Sequence, residues 1–306
     1  MSSKENKIVI DHMNKTVEKF YSIEDERLGM KHFRYVMDDY FAADESIKCC
    51  GNVSSVSADG VYALWVTAEN SDPKKRILYF HGGGYVIGSV RGYLPLASHL
   101  AKATGASVLL IDYRLSPENT FPAAVEDAKT AYNWMLDNGP EGEQRFEKVF
   151  IAGDSAGGGL SVATALALKD DKGILPNAII PISPWAEMNP SSQSYEDNKD
   201  IDPFVSRDGI AWFASVYTPN DVDRENPYAS PLYGNFSGLP PMLIQVGTRE
   251  VLLDDSKKLS EKAKSDGCEV ELQIWDDMVH IFHGFAPFLP EANEALEAIG
   301  SFISDK

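Results

Sequence analysis

Val149-Phe150-Ile151-Ala152-Gly153-Asp154-Ser155-Ala156-Gly157-Gly158-Gly159 joins two kinds of structure across one serine. The run up to Ala152 is short, apolar and β-type, and it ends at Gly153. Leu160, Val162, Ala163, Ala165, Leu166 and Ala167 then read as a buried helix. Ser155 stands at the turn, inside Gly153-x-Ser155-x-Gly157, and strand–serine–helix is the context of a nucleophile elbow. A serine on so sharp a turn occupies strained backbone space, and side chains two positions to either side would collide where helix and strand cross. The turn sets the hydroxyl at the positive end of a helix, where a developing oxyanion is favoured. A five-residue pattern recurs by chance, so its weight depends on its surroundings.

Those surroundings alternate between strand and helix. Ile77–Phe80 precedes a helix carrying Leu96, Leu100 and Ala103, and Ser107–Ile111 precedes one carrying Val125, Ala128, Tyr132 and Leu136. Downstream of the elbow come Ala178–Ile182, Met242–Val246, a helix through Leu259 and Ala263 stopped by Gly267, the strand Val270-x-Leu272-x-Ile274, and a last helix with Ala295, Leu296 and Ile299. Continuously apolar strands between helices are buried on both faces, so the chain predicts an α/β fold around a mostly parallel sheet. Before this core, residues 8–41 repeat apolar side chains at helical spacing (Ile10, Met13, Val17, Phe20/Tyr21, then Phe33, Val36/Met37, Tyr40). From Ser46 the period falls to two, with Tyr62, Leu64 and Val66 alternating after an Asp59-Gly60 turn, as in antiparallel strands. The alternation breaks over 186–240, rich in Asn, Asp, Pro, Ser and aromatics, where Phe204–Tyr217 reads as a short helix. Such an insertion suits a lid that excludes water, and equally an irregular loop with its own small core.

The 306 residues accommodate one large α/β domain or two small ones, with 43% hydrophobic and 24% charged residues. A net charge of −18 argues against nucleic acid and anionic membranes as partners. Cys49, Cys50 and Cys268 make no even disulfide framework and no metal-ligand pattern. No apolar stretch follows Met1–Lys7 and no run is long enough to span a membrane, which predicts a soluble, cytoplasmic protein.

Three features fall at the carboxyl ends of core strands, where open α/β sheets build their sites. His81-Gly82-Gly83-Gly84 follows Ile77–Phe80, and its glycines leave backbone N–H groups open to a carbonyl oxygen. No Gly-Lys-Ser/Thr or GxGxxG pattern turns it into a phosphate loop, and His81 reads as a loop-structuring residue. His280 lies after the last strand, with His283 as its rival for the base that a serine nucleophile requires. Glu250 follows Met242–Val246 and is nearest the strand end, with Asp254 and Asp255 as rival acids that could instead cap the next helix. No histidines fall at metal-ligand spacing, so neither metal nor organic cofactor is expected.

At this point the chain resembles the hormone-sensitive-lipase-like (bacterial family IV) carboxylesterases of the α/β-hydrolase fold, in their GDSAG branch. The resemblance rests on His81-Gly82-Gly83-Gly84, Asp112-Tyr113-Arg114-Leu115-Ser116-Pro117-Glu118, Phe121-Pro122-Ala123-Ala124, Gly153-Asp154-Ser155-Ala156-Gly157-Gly158, Ser183-Pro184-Trp185 and Met278-Val279-His280, in the family's order. The order Ser155, Glu250, His280 is that of α/β-hydrolases. It implies nucleophile, acid and base in these roles, an oxyanion hole from Gly82, Gly83, Gly84 and Ala156, and hydrolysis of short-to-medium acyl esters of small molecules. It further implies a helical cap from residues 1–45 and 186–225 over a core of 46–185 and 226–306, and homodimers through edge elements near the last strand. The chain departs in carrying Glu250-Val251-Leu252 where the family usually has Asp-Pro-Leu, so the acid is its least secure element. Two other readings share these features: a ligand-binding relative without catalysis, and an amidase or peptidase with the same triad. Hormone receptors of this architecture lose the histidine, and His280 is present.

Overall fold

The computed structural model describes residues 2–21 and 29–306, and the side chains of Phe20, Tyr21, His32 and Val36 lie outside the described residues. Helices α1 (Lys4–Tyr21) and α2 (Gly29–Met37) precede strands β1 (Asn52–Ala58), β2 (Val61–Thr67) and β3 (Asp72–Phe80). Next come α3 (Leu94–Thr104), β4 (Ala106–Ile111), α4 (Ala123–Asp137), a small ribbon of β5 (Asn138–Gly139) and β6 (Gly142–Glu143), β7 (Lys148–Asp154), α5 (Ala156–Asp170) and β8 (Ala178–Ile182). The chain continues through α6 (Ser194–Asp197), α7 (Arg207–Tyr217), β9 (Met242–Gly247), α8 (Leu253–Ser265), β10 (Val270–Trp275) and α9 (Pro290–Ser304).

Among the described residues, eight strands form one sheet in the order β1-β2-β4-β3-β7-β8-β9-β10. Strands β1, β2 and β4 pair antiparallel, and every other neighbour is parallel. Successive strand residues feed opposite cores, as the two-residue period requires. Ile77, Tyr79, Val108, Leu110, Phe150 and Ala152 pack with α3 and α9 on one face. Leu78, Phe80, Leu109, Ile111, Val149 and Ile151 pack with α4 on the other. Where two faces are covered, alternation disappears from the sequence, and β2 shows a mixed case. Tyr62, Leu64 and Val66 do share a face, on which Leu64 and Val66 are buried and Tyr62 is exposed, and Val61, Ala63 and Trp65 opposite them are buried as well. The turn before it is as expected, with Asp59 and Gly60 both at positive φ (49° and 98°).

The helix expected from Phe204 begins three residues later. Asp202 closes a turn by accepting the backbone N–H groups of Phe204 and Val205 at 3.0 and 2.9 Å, and the chain stays extended at Ser206 (φ −130°, ψ 157°). Ser206 then caps α7, its Oγ accepting from the Gly209 N–H at 3.1 Å.

Candidate active site

The elbow carries the strain its sequence implies. Ser155 has φ 52° and ψ −119°, sparsely populated space for a side-chain-bearing residue, and it immediately precedes the first residue of α5. The glycines around it leave no room for a β-carbon. One built on Gly153 would lie 2.4 Å from the Gly157 carbonyl oxygen, and one on Gly157 would lie 2.0 Å from that of Phe80. Strand and helix cross in backbone contact, and Ser155 is left 7% exposed at the crossing.

His280 meets an acid. Its Nδ1–H donates to Glu250 Oε2 at 2.7 Å, with both side chains buried. Glu250 Oε1 accepts from the Gly247 N–H at 2.6 Å and from Ser183 Oγ at 2.8 Å, so both carboxylate oxygens are held. This bond fixes the tautomer and leaves Nε2 as the free, basic nitrogen. Burial opposes the imidazolium, but the hydrogen bond and charge of Glu250, with the charges of Asp202 and Asp154, outweigh it and raise the His280 pKa. The longer glutamate side chain is accommodated because the Gly247 N–H and Ser183, which the sequence did not single out for this role, take up its second oxygen.

The rivals are placed elsewhere. Asp254 accepts the Ser194 N–H and pairs with Lys257, while Asp255 accepts from Ala186 N–H and Ser192 Oγ. Both fasten the 186–194 segment to α8, and burial lifts Asp255 to a pKa of about 7. His283 donates from Nε2 to Gln245 Oε1 at 2.9 Å, and burial depresses its pKa to about 3, which suits a neutral core residue. His81 stacks on Tyr113 with centroids 4.4 Å apart, and its Nδ1–H donates to the Gly82 carbonyl.

The glycine loop divides. Gly83 (φ 112°) and Gly84 (φ 61°) line the same cavity as Ser155 and His280, and among the described residues nothing accepts from their N–H groups or from that of Ala156. Gly82 is not among the residues lining that cavity. A β-carbon there would fall 2.2 Å from Asp154 Oδ2, so Gly82 is the contact between loop and elbow. Asp154 accepts from Tyr79 OH at 2.8 Å and Tyr93 OH at 3.0 Å, and burial outweighs these bonds to raise its pKa to about 7.

The cavity has a volume of about 720 Å³ and a largely apolar wall. Val17, Met30, Phe33 and Met37 reach it from α1 and α2, Tyr40 from the turn after them, and Phe204, Trp212 and Phe213 from the insertion. Sequence periodicity marked most of these as apolar helix faces without saying what they faced. Phe213 lies directly over the glycine loop, its ring 2.5 Å from where a Gly84 β-carbon would sit. Among the described residues no group of His, Cys, Asp or Glu is arranged to hold a metal ion. All three cysteines are free thiols, and no described helix is long and apolar enough to cross a membrane.

This sheet, with a strained serine after its central strand and an acid-bound histidine after its last, defines an α/β-hydrolase. The sequence profile of the α/β hydrolase fold matches residues 77–284. An acetyl-hydrolase of Streptomyces hygroscopicus is 40% identical over 267 residues, covering 86% of this chain and 87% of the relative. An esterase of Acinetobacter venetianus is 33% identical over 228 residues, 74% of each chain. The crystal structure of an esterase from the bacterial hormone-sensitive lipase family aligns with a TM-score of 0.89 at 37% identity, covering 99% of this chain and 98% of that one. EstE5 soaked with p-nitrophenyl butyrate aligns at 0.87 and 38% identity, over 99% of each chain. The chain therefore belongs to the α/β-hydrolase family, in its hormone-sensitive-lipase-like branch of carboxylesterases.

Proposed function

We propose that this protein is a serine carboxylesterase acting on short-to-medium acyl esters, with Ser155 as nucleophile, His280 as base and Glu250 as acid. The observation that carries the reading is the Glu250–His280 hydrogen bond of 2.7 Å in the wall of the cavity that holds Ser155. Ser155 Oγ attacks the ester carbonyl and His280 Nε2 takes its proton. The N–H groups of Gly83, Gly84 and Ala156 receive the oxyanion at the positive end of α5. His280 then protonates the departing alcohol, and water repeats the sequence on the acyl-enzyme. Neither metal nor cofactor enters these steps.

In this reading residues 1–45 and 186–225 form a cap whose apolar side chains surround the acyl and alcohol groups. A largely apolar wall favours neutral esters over anionic ones. The three free thiols fit a reducing, cytoplasmic setting, and the exposed Ile274 on the edge strand β10 is where a homodimer would pair. The test is hydrolysis of p-nitrophenyl acetate, butyrate, octanoate and palmitate by wild type and by Ser155→Ala. Rapid release from the shorter esters, abolished in the variant, is expected. Release that survives loss of Ser155 would refute the assignment.

A further inference from the structure

Behind the cavity wall, one carboxylate joins the segment that faces substrate to the loop that carries Glu250. Asp202 Oδ1 accepts from the N–H groups of Phe204 and Val205, both cavity-lining residues. Its Oδ2 accepts from the Val251 N–H at 2.9 Å, one residue beyond Glu250. Asn198, four residues earlier, donates through Nδ2 to the carbonyls of Thr248 (3.0 Å) and of Glu250 itself (2.6 Å). On the cavity side the Phe204 ring packs on Tyr40, centroids 4.6 Å apart, and Tyr40 OH donates to the His280 carbonyl at 3.3 Å. One stretch of wall thus reaches both members of the pair, Glu250 through Asp202 and Asn198, and His280 through Tyr40.

We propose that Asp202 is a positioning residue, holding the substrate-facing wall at Phe204–Val205 and the Glu250 loop in a single register, so that a substrate pressing on that wall acts on the geometry of the Glu250–His280 hydrogen bond. The inference rests on the reading of Glu250 and His280 as the acid–base pair. A carboxylate suits the task because it only accepts, and it takes three backbone N–H groups from two separate segments. An amide in its place has one accepting oxygen, and its NH2 must face an N–H donor at either the wall or the loop. The charge matters as well. The groups facing His280 are Glu250, Asp202 and Asp154, with His283 on the same turn and the neutral Tyr40 hydroxyl on its carbonyl. Removing the Asp202 charge withdraws support from the imidazolium, so the His280 pKa falls.

The experiment compares wild type, Asp202→Asn and Asp202→Ser, with Ser155→Ala alongside. Serine keeps a hydroxyl acceptor for the Phe204 and Val205 N–H groups, as it does in such turns, but is too short to reach Val251. The direct readout is the downfield proton resonance of His280 Nδ1–H, followed with pH. Kinetic readouts are kcat and KM for p-nitrophenyl butyrate and the pH profile of kcat/KM. Expected are a displaced or broadened His280 resonance, kcat lowered about tenfold with KM nearly constant, and an acidic limb moved to lower pH. A purely structural role for Asp202 would lower the melting temperature and leave the resonance and both limbs in place. That outcome, in either folded variant, overturns the proposal while Ser155→Ala is still inactive. Activity surviving in Ser155→Ala overturns the acid–base reading and this inference with it.

Discussion

Replacing Glu250 by glutamine removes one charge and no volume, and the three contacts of the carboxylate determine the damage. Oε2 accepts from His280 Nδ1–H, and Oε1 accepts from the Gly247 N–H and the Ser183 hydroxyl. In one orientation the new amide keeps its oxygen on Gly247 and Ser183 and turns its NH2 to His280. Nδ1 must then become the acceptor, which puts the proton on Nε2, where Ser155 needs a base. A wrong tautomer of this kind costs roughly 10⁴ in kcat in a serine protease. In the other orientation the oxygen faces His280 and the tautomer is right, but NH2 opposes the Gly247 N–H, which cannot turn away. The unsatisfied buried donor makes this productive orientation the minor one of the two by about 1–3 kcal/mol, and exchanging a charged for a neutral hydrogen bond to the forming imidazolium costs about 1–1.5 more. The sum, about 2–4.5 kcal/mol, is roughly 30- to 2,000-fold in rate. Glu250→Gln is therefore expected to lose at least about 30-fold in kcat on p-nitrophenyl butyrate, and up to about 10⁴-fold. With the charge gone, burial dominates His280, its pKa drops, and the acidic limb of kcat/KM moves to lower pH. Stopped-flow rates from pH 4 to 9, with circular dichroism to check folding, measure both. A loss under tenfold would refute the assignment of Glu250, and a large loss in Asp254→Asn instead would move the role to Asp254.

Two further predictions concern the loop and the core. Gly83→Ala places a β-carbon 2.2 Å from the Ile87 carbonyl oxygen at φ 112°, so the loop must move. The expected result is a kcat lowered on the order of 100-fold, as for loss of one oxyanion donor; activity within threefold of wild type would take the oxyanion site away from this loop. His283, with its pKa depressed to about 3, is neutral in the fold and takes a proton on unfolding below about 6.5. Its contribution is present above 6.5 and is lost as pH falls, by about 2 kcal/mol at pH 5. His283→Gln should flatten the fall in melting temperature between pH 7 and pH 5, and an unchanged slope would contradict the buried neutral state.

The legible parts of the sequence were those governed by local physics. Gly153 and Gly157 announced a backbone crossing because nothing larger fits, and Asp59-Gly60 announced a turn with both residues at positive φ. Burial on both faces was readable for β3, β4 and β7 as unbroken apolar runs. For β2 the alternation of Tyr62, Leu64 and Val66 marked an antiparallel strand, which it is, while the burial of Ala63 and Trp65 on the other face depends on what packs there. The start of α7 falls after Phe204 because Asp202 closes a turn over Phe204 and Val205, and Ser206, in extended backbone, is the residue that caps the helix. Ser183 and Asn198 carried no signal of their attachment to Glu250 and its loop, since a lone hydroxyl or carboxamide has no spacing to betray its partner.

By itself the sequence determined the alternation of strand and helix, the strained serine, the glycine loop and a set of candidate acids and bases, because each depends on residues within a turn or two of one another. Only the tertiary structure shows which of the candidates meet one another. Glu250, Asp254 and Asp255 lie within six positions of one another, yet one side chain turns to His280 and the other two to the 186–194 segment. His280 and His283 are one turn apart, yet one lines the cavity and the other is sealed against Gln245. Which carboxylate meets which imidazole is a matter of side-chain direction and of partners 30 to 100 residues away, such as Ser183 at the end of β8. Those contacts exist only once the sheet has assembled, and no local pattern encodes them.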